Sequence, residues 1–170
     1  MNSNSGMFQS LVRLRDLDFN PTGVLDVGAY EGHFSRGARK IFETAHILMI
    51  DALAEKGPVL ADACRELGNA DHLVAMLGDR ETEATSFFVV NTGMRPDLVK
   101  TGSSKYPEKA NFPMEERALP QRTLGTSSPI AACRSSYLSS MSRARNLMCF
   151  GAWETSCRRS KFILMEICSE

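Results

Sequence analysis

The chain has 170 residues, enough for one domain with a sizeable core, and 20 basic residues balance 20 acidic ones to a formal net charge of zero. That balance leaves no electrostatic footprint for nucleic acid, and no apolar run approaches the roughly 20 residues that a membrane helix needs. The opening stretch, "MNSNSGMFQSLVRLRDLDF", lacks the apolar core of a signal peptide, so a cytoplasmic, soluble protein is expected.

The stretch "FQSLVRLRDLDF" spaces its apolar residues for an N-terminal helix, which "NPTG" closes. "GVLDVGA" is a short apolar strand ending in a turn. "EGHFSRGARKIF" predicts a helix with Phe34, Ala38 and Ile41 on one face, and "AHILMIDA" predicts a second strand. "KGPVLADACRELGN" predicts a helix opened by Pro58 and closed by Gly68 and Asn69. "DHLVAMLGD" and "TSFFVVN" supply a third and a fourth strand. Strands alternating with helices argue for an α/β fold with a parallel sheet and right-handed crossovers. Residues 91–124 read as loop-rich, with Gly93, Pro96, Gly102, Pro107, Pro113 and Pro120. Of the five cysteines, Cys64 stands alone, while Cys133, Cys149, Cys157 and Cys168 crowd the tail in a spacing that fits no zinc pattern.

Chemistry enters at Val24 to Ser35, "VLDVGAYEGHFS". An apolar strand, then D-x-G-A-x-x-G, then a helix brings backbone N–H groups close to a nucleotide-like ligand. Gly28 allows the tight turn, and Gly32 lets the helix start pack near the ligand. The pattern is not G-x-G-x-x-G, and no basic residue stands in the loop to meet a pyrophosphate. Asp26 is instead an acceptor suited to a cationic amine, so a ligand with an amino-acid end and a sulfonium fits better than a dinucleotide. About 20 residues after such a turn, an acid ending the second strand accepts ribose hydroxyls, and Asp51 stands there. Two plainer readings stay open: the turn as a mere tight connection, and Asp51 as a helix N-cap.

"VLDVGAYEGHFS" followed by "MIDA" resembles the S-adenosylmethionine-dependent methyltransferases of Rossmann-like fold, and most of all their FkbM group of small-molecule O-methyltransferases. "AMLGDRETEATSFFV", "TGSSKYPE" and "ERALPQRTL" are similar to later segments of that group. The resemblance covers about residues 22–124, leaving an N-terminal helical segment over 1–21 and a tail over 125–170. It implies an incomplete Rossmann-like methyltransferase domain that binds S-adenosylmethionine. Asp26, Gly28, Ala29 and Gly32 would line the methionine end, Asp51 would hold the ribose, and Gly78 and Asp79 would lie near the adenine. Ser103 and Ser104 would face the transferred methyl group or the substrate, whose hydroxyl is that of a small molecule or a sugar. No residue is assigned as catalytic, and neither the acceptor nor an oligomeric state is specified. Tyr30 packs over the ligand or is simply half-buried, and Lys105 and Tyr106 meet substrate or solvent. His33 reads as a helix-surface residue, His46 and His72 as solvated flanks of strands, and Met49 and Met76 as strand core.

After Leu124 the chain turns rich in Ser, Arg and Cys, and neither the helical nor the strand period persists, which reads as a disordered tail. The group continues at this point with a segment resembling "LLKLDVQGAELDVLRG". Shifting the reading frame so that each codon takes the last base of one codon and two of the next lets residues 137–151 spell "LLKLDVQGAELDVLR" with permitted codons. The tail is therefore expected to be an out-of-frame translation beginning close to Leu124 and Gly125, and the chain to be impaired or inactive. Two competing readings are an NAD-binding oxidoreductase fragment and a non-catalytic binding module with a genuine serine-rich tail.

Overall fold

A computed structural model describes residues 4–93, 103–105 and 113–123, together with the backbone of 162–166. Thr101, Gly102, Tyr106, the four tail cysteines and the stretch that carries the shifted-frame motif lie outside the described residues.

The elements run α1 (Asn4–Asp16), β1 (Gly23–Val27), α2 (His33–Ile41), β2 (His46–Asp51), a single 3-10 turn (Ala54–Lys56), α3 (Gly57–Leu67), β3 (Ala70–Val74), β4 (Met76–Leu77), β5 (Thr82–Val90), β6 (Met114–Arg122) and β7 (Phe162–Glu166). The fold is mixed α/β. One sheet has the order β3-β2-β1-β7 with all neighbours parallel, and a smaller sheet has the order β4-β6-β5. The expected helices and the first two strands stand where their apolar periods put them. Pro58 falls in the first turn of α3, and Gly68, at φ 79, ends it with a backbone N–H donated to the Cys64 carbonyl.

The parallel sheet is short but well packed. Val24 of β1 and Ile47 and Met49 of β2 are buried against Phe34 and Ala38 of α2, Leu60 and Ala63 of α3, and Leu11 of α1. Phe8 of α1 stacks on Phe34 with ring centroids 5.9 Å apart, and it lies where a Cβ on Gly37 would stand, so the two helices meet at bare backbone. At the amino ends of the strands, Arg39 Nη1 donates to the carbonyls of Glu43 and Ala45, each at 2.7 Å, and its Nη2 donates to Asn69 O at 2.7 Å. One guanidinium thus ties the loop before β2 to the loop before β3. Met49 is strand core as expected, and so is Met76, which joins Leu53, Phe87 and Val89 in a second, smaller core under the antiparallel pair.

Three expectations change. The third strand breaks in two at Ala75, whose N–H donates to Asp51 O at 2.8 Å; Val74 still pairs with β2, whereas Met76 and Leu77 pair with Gln121 and Arg122 of β6. The loop-rich stretch contains a nine-residue strand, β6, running antiparallel to β5. Pro120 concealed it. Proline lacks the N–H that a ladder needs, and the register here skips from Thr82↔Gln121 to Thr85↔Leu119, so Glu83 and Ala84 face Pro120 across a bulge. The tail, read as disordered, contains β7 over Phe162–Glu166, which pairs in parallel with β1 from Gly23↔Phe162 to Val27↔Glu166. A short apolar run has met a strand whose second edge was available to pair. Among the described residues no helix is long and apolar enough to cross a membrane.

Candidate functional site

In an open parallel sheet, ligands meet the crevice outside the carboxyl ends of the strands. Here β1 and β2 end there on two acids. The side chain of Asp26 is fully buried; Oδ2 accepts a 2.6 Å hydrogen bond from Ser35 Oγ, while Oδ1 has no hydrogen-bond partner among the described residues. Burial pushes its carboxyl up to about 6 against the pull of the Ser35 hydrogen bonds, and the neighbouring charge of Asp51 pushes the same way. A buried carboxylate oxygen with no donor is costly, and it marks where a donor from a ligand is wanted.

Asp51 is nearly buried and better provided for. Its Oδ2 accepts the Tyr30 N–H at 2.8 Å and its Oδ1 the Leu53 N–H at 2.9 Å. Burial nevertheless raises its pKa, against those two backbone hydrogen bonds and the charge of Lys56. Each carboxylate oxygen retains a second lone pair, so Asp51 holds its turn and still has acceptor capacity for a pair of hydroxyls. Its bond to Leu53, two residues on, is an Asx-type turn ahead of the 3-10 turn, close to the capping role that the sequence left open.

The turn between β1 and α2 holds Gly28 at φ 77, Tyr30 at φ 52 and Gly32 at φ 73. Tyr30 in the left-handed region carries backbone strain that its bond to Asp51 helps to maintain. The amides of this turn are already engaged. Gly28 and Ala29 both donate to Ile50 O, at 2.8 and 3.0 Å, Tyr30 donates to Asp51, and Gly32 donates to Ala29 O at 2.7 Å. Four amides that the sequence pattern aimed at a ligand are spent on holding β1 to β2 and on closing the turn. The turn therefore resembles no anion cradle, in which such N–H groups point at phosphate oxygens.

The remaining predicted residues are distributed more widely. A Cβ on Gly32 would meet Met49 Sδ at 3.1 Å and Ala63 Cβ at 3.3 Å, so protein packing requires this glycine. A Cβ on Gly78 would run into the side chain of Gln121, which is buried and donates from Nε2 to Arg80 O at 2.8 Å. Asp79 is exposed at the turn after β4. Ser103 and Ser104 belong to the second sheet: Ser104 exchanges both backbone hydrogen bonds with Phe88, and Ser103 Oγ accepts from Val90 N at 3.3 Å. Lys105 is turned to Gln121 Oε1 at 2.9 Å. Asp26, Gly28, Ala29 and Asp51 thus share one end of the parallel sheet, whereas Gly78, Ser103 and Ser104 are fixed by contacts in the smaller, mixed one. His33 lies on the helix surface 3.5 Å from Glu31. His46 pairs with Asp71 at 3.0 Å, and His72 Nδ1 lies 3.7 Å from Cys64 Sγ, so both are engaged rather than simply solvated.

Three residues of the crevice escaped the sequence reading. Ser35 sits three residues past Gly32, on the turn of α2 that faces back to β1, and that spacing is a usable signal for a partner of Asp26. Lys56 and Glu31 meet at 2.9 Å across 25 residues of sequence, which no local pattern announces. In comparisons with known proteins, no family model and no curated sequence matches the chain.

Proposed function

We propose that the described residues form the cofactor-holding half of an S-adenosylmethionine-dependent methyltransferase of FkbM type, which methylates a hydroxyl oxygen of a small molecule or sugar. The observation that carries this reading is Asp26: a buried carboxylate with one oxygen unpartnered among the described residues, near the end of β1 and beside a second carboxylate at the end of β2. That pair suits a ligand with a cationic amino-acid end and two ribose hydroxyls, and the spent amides of the turn argue against a pyrophosphate. The residues present fit such a cofactor at its methionine and ribose ends, through Asp26 and Ala29 with Gly28 and through Asp51. Gly78 and Asp79 would approach the adenine, and Ser103 and Ser104 the acceptor. S-adenosylmethionine supplies the electrophilic methyl group, and the protein's share is to hold donor and acceptor in near-attack geometry and to receive the hydroxyl proton. After Leu124 the chain does not spell, in frame, the acid- and lysine-bearing segment of the resembling group, so we hold this chain to be impaired or inactive in transfer.

Thermal unfolding with S-adenosylhomocysteine and with NAD tests the reading. At a hundred times its dissociation constant a ligand stabilises by about 2.7 kcal/mol. We expect such a rise with S-adenosylhomocysteine and none with NAD. The reverse favours the oxidoreductase fragment, and no rise with either favours the non-catalytic module. Genomic DNA across the codons for Arg122 to Gly151 tests the tail; a neighbouring frame without "LLKLDVQGAEL" overturns the out-of-frame account.

A further inference from the structure

One side chain joins the two loops that bound the crevice. Lys56, the last residue of the 3-10 turn after β2, places Nζ 3.4 Å from the centroid of the Tyr30 ring and 2.9 Å from Glu31 Oε1. Its side chain is only 12% exposed, whereas the ordinary surface pair Arg65 and Asp62 is 78% and 65% exposed. Tyr30 is held in place by its N–H bond to Asp51, and the charge of Lys56 acts on Asp51 as well. Burial lowers the pKa of Lys56, yet the bond to Glu31 and the contacts with Tyr30 outweigh that loss and leave it raised. The same bond holds Glu31 below its ordinary range. An ammonium enclosed by an aromatic face, a carboxylate in contact and a second carboxylate within electrostatic reach has the surroundings of a recognised cation.

We infer that Tyr30, Glu31 and Asp51 form a cation-binding cage at the crevice, that Lys56 is its built-in occupant, and that a ligand carrying a sulfonium or ammonium group enters by displacing the Lys56 ammonium. This rests on the reading above for the identity of the ligand, but not for the chemistry of the cage. Lys56 then acts as a competitor inside the molecule. It weakens binding of every cationic ligand, and it leaves a ligand with a neutral thioether in place of the sulfonium less affected. Such discrimination bears on which of two otherwise similar ligands, charged donor or neutral product, the crevice retains.

The test needs no variant to begin. Protons of the Lys56 side chain lying over the Tyr30 ring are shifted upfield by it, and NMR of the whole chain follows them as tetramethylammonium or S-adenosylmethionine is added. We expect both cations to move these signals toward free-lysine values. We further expect Lys56→Met to bind S-adenosylmethionine about tenfold more tightly and S-adenosylhomocysteine within about twofold of the parent, with Tyr30→Leu removing the gain. Signals that stay put at high tetramethylammonium concentration overturn the cage, as does, where the parent chain binds S-adenosylmethionine, unchanged or weaker binding of it by a folded Lys56→Met chain. If tetramethylammonium displaces Lys56 while neither adenosyl ligand binds, the cage stands and the methyltransferase reading falls.

Discussion

The two sheets of this protein distribute charge in opposite ways. In the parallel sheet the two acids of the crevice are drawn inside: Asp26 is fully buried, Asp51 nearly so, and among the described residues neither makes an ion pair through its own oxygens, whereas Asp71 of β3 stays exposed and pairs with His46. In the smaller, mixed sheet, charge stays at the surface in compensated sets, with Arg117 between Glu55 and Glu115 and Arg122 beside Glu81 and Glu83. Among the described residues its one fully buried polar side chain, Gln121, is neutral and satisfied at both ends, by Arg80 O and by Lys105. Both buried side-chain polar atoms that lack a hydrogen-bond partner among the described residues belong to the parallel sheet, Arg39 Nε at the amino ends of its strands and Asp26 Oδ1, beside a second acid, at the carboxyl end. Proteins carry such local cost where function requires it, which makes that end the place to look for a ligand.

The comparison is open to breaking. The largest effect is expected in the core of the parallel sheet. Ile47→Ala should lose about 3–4 kcal/mol by denaturant unfolding, and Val89→Ala in the smaller core about 2 kcal/mol. Equal losses at the two sites would mean that the sheets contribute alike. Next comes Gly78→Ala, whose Cβ would run into the side chain of Gln121. Displacing a buried, bonded amide should cost about 2–3 kcal/mol. A silent Gly78→Ala would free that glycine for a purely ligand-lining role.

Asp26→Asn should act with the opposite sign. Because the carboxyl titrates at about 6 in the folded chain against 3.8 ordinarily, the folded state holds this proton more tightly. The favourable contribution is complete below 3.8 and is lost as pH rises through about 6. The amide should therefore raise stability most at pH 7–8, by up to about 3 kcal/mol, and progressively less toward pH 4. The same variant should weaken binding of a cationic ligand, a trade of stability against function that sharpens the contrast between the sheets. A variant no more stable than the parent at pH 8 would show that Asp26 carries no penalty. The smallest effect belongs to Arg117→Ala, expected to cost under about 1 kcal/mol and to fade in high salt, as half-exposed ion pairs do.

The elements that were legible in the sequence announce themselves within a dozen residues. β1, its turn, α2 and β2 each have an apolar period, a glycine or a boundary signal of their own, and Asp26 and Asp51 follow as the acids at two strand ends. The split at Ala75 was not legible, because "DHLVAMLGD" is continuous as a pattern and only the bond from Ala75 N to Asp51 O divides it. β6 is rich in charge and contains a proline, so its strand character comes from pairing with β5 rather than from its own residues. The engaged turn amides were likewise invisible: the glycine pattern fixes the shape of the turn, while the neighbouring strand decides where the N–H groups go. Lys56 depended on chain folding to meet Glu31 and Tyr30 at all.

The carbonyls gathered by Arg39 couple two loops that are far apart in sequence. At the amino ends of the strands, one planar cation brackets the loops before β2 and β3, and Asn69 Nδ2 adds a bond to Thr44 O at 3.2 Å across the same gap. Rotating any one of these carbonyls away strands part of a guanidinium, so they are constrained to move together. The opposite end is tied by backbone amides instead, Gly28 and Ala29 on Ile50 O and Ala75 on Asp51 O, with the Lys56 contact beside them. Loss of the Arg39 guanidinium would thus release the loops before β2 and β3 together, at the end of the sheet away from the crevice.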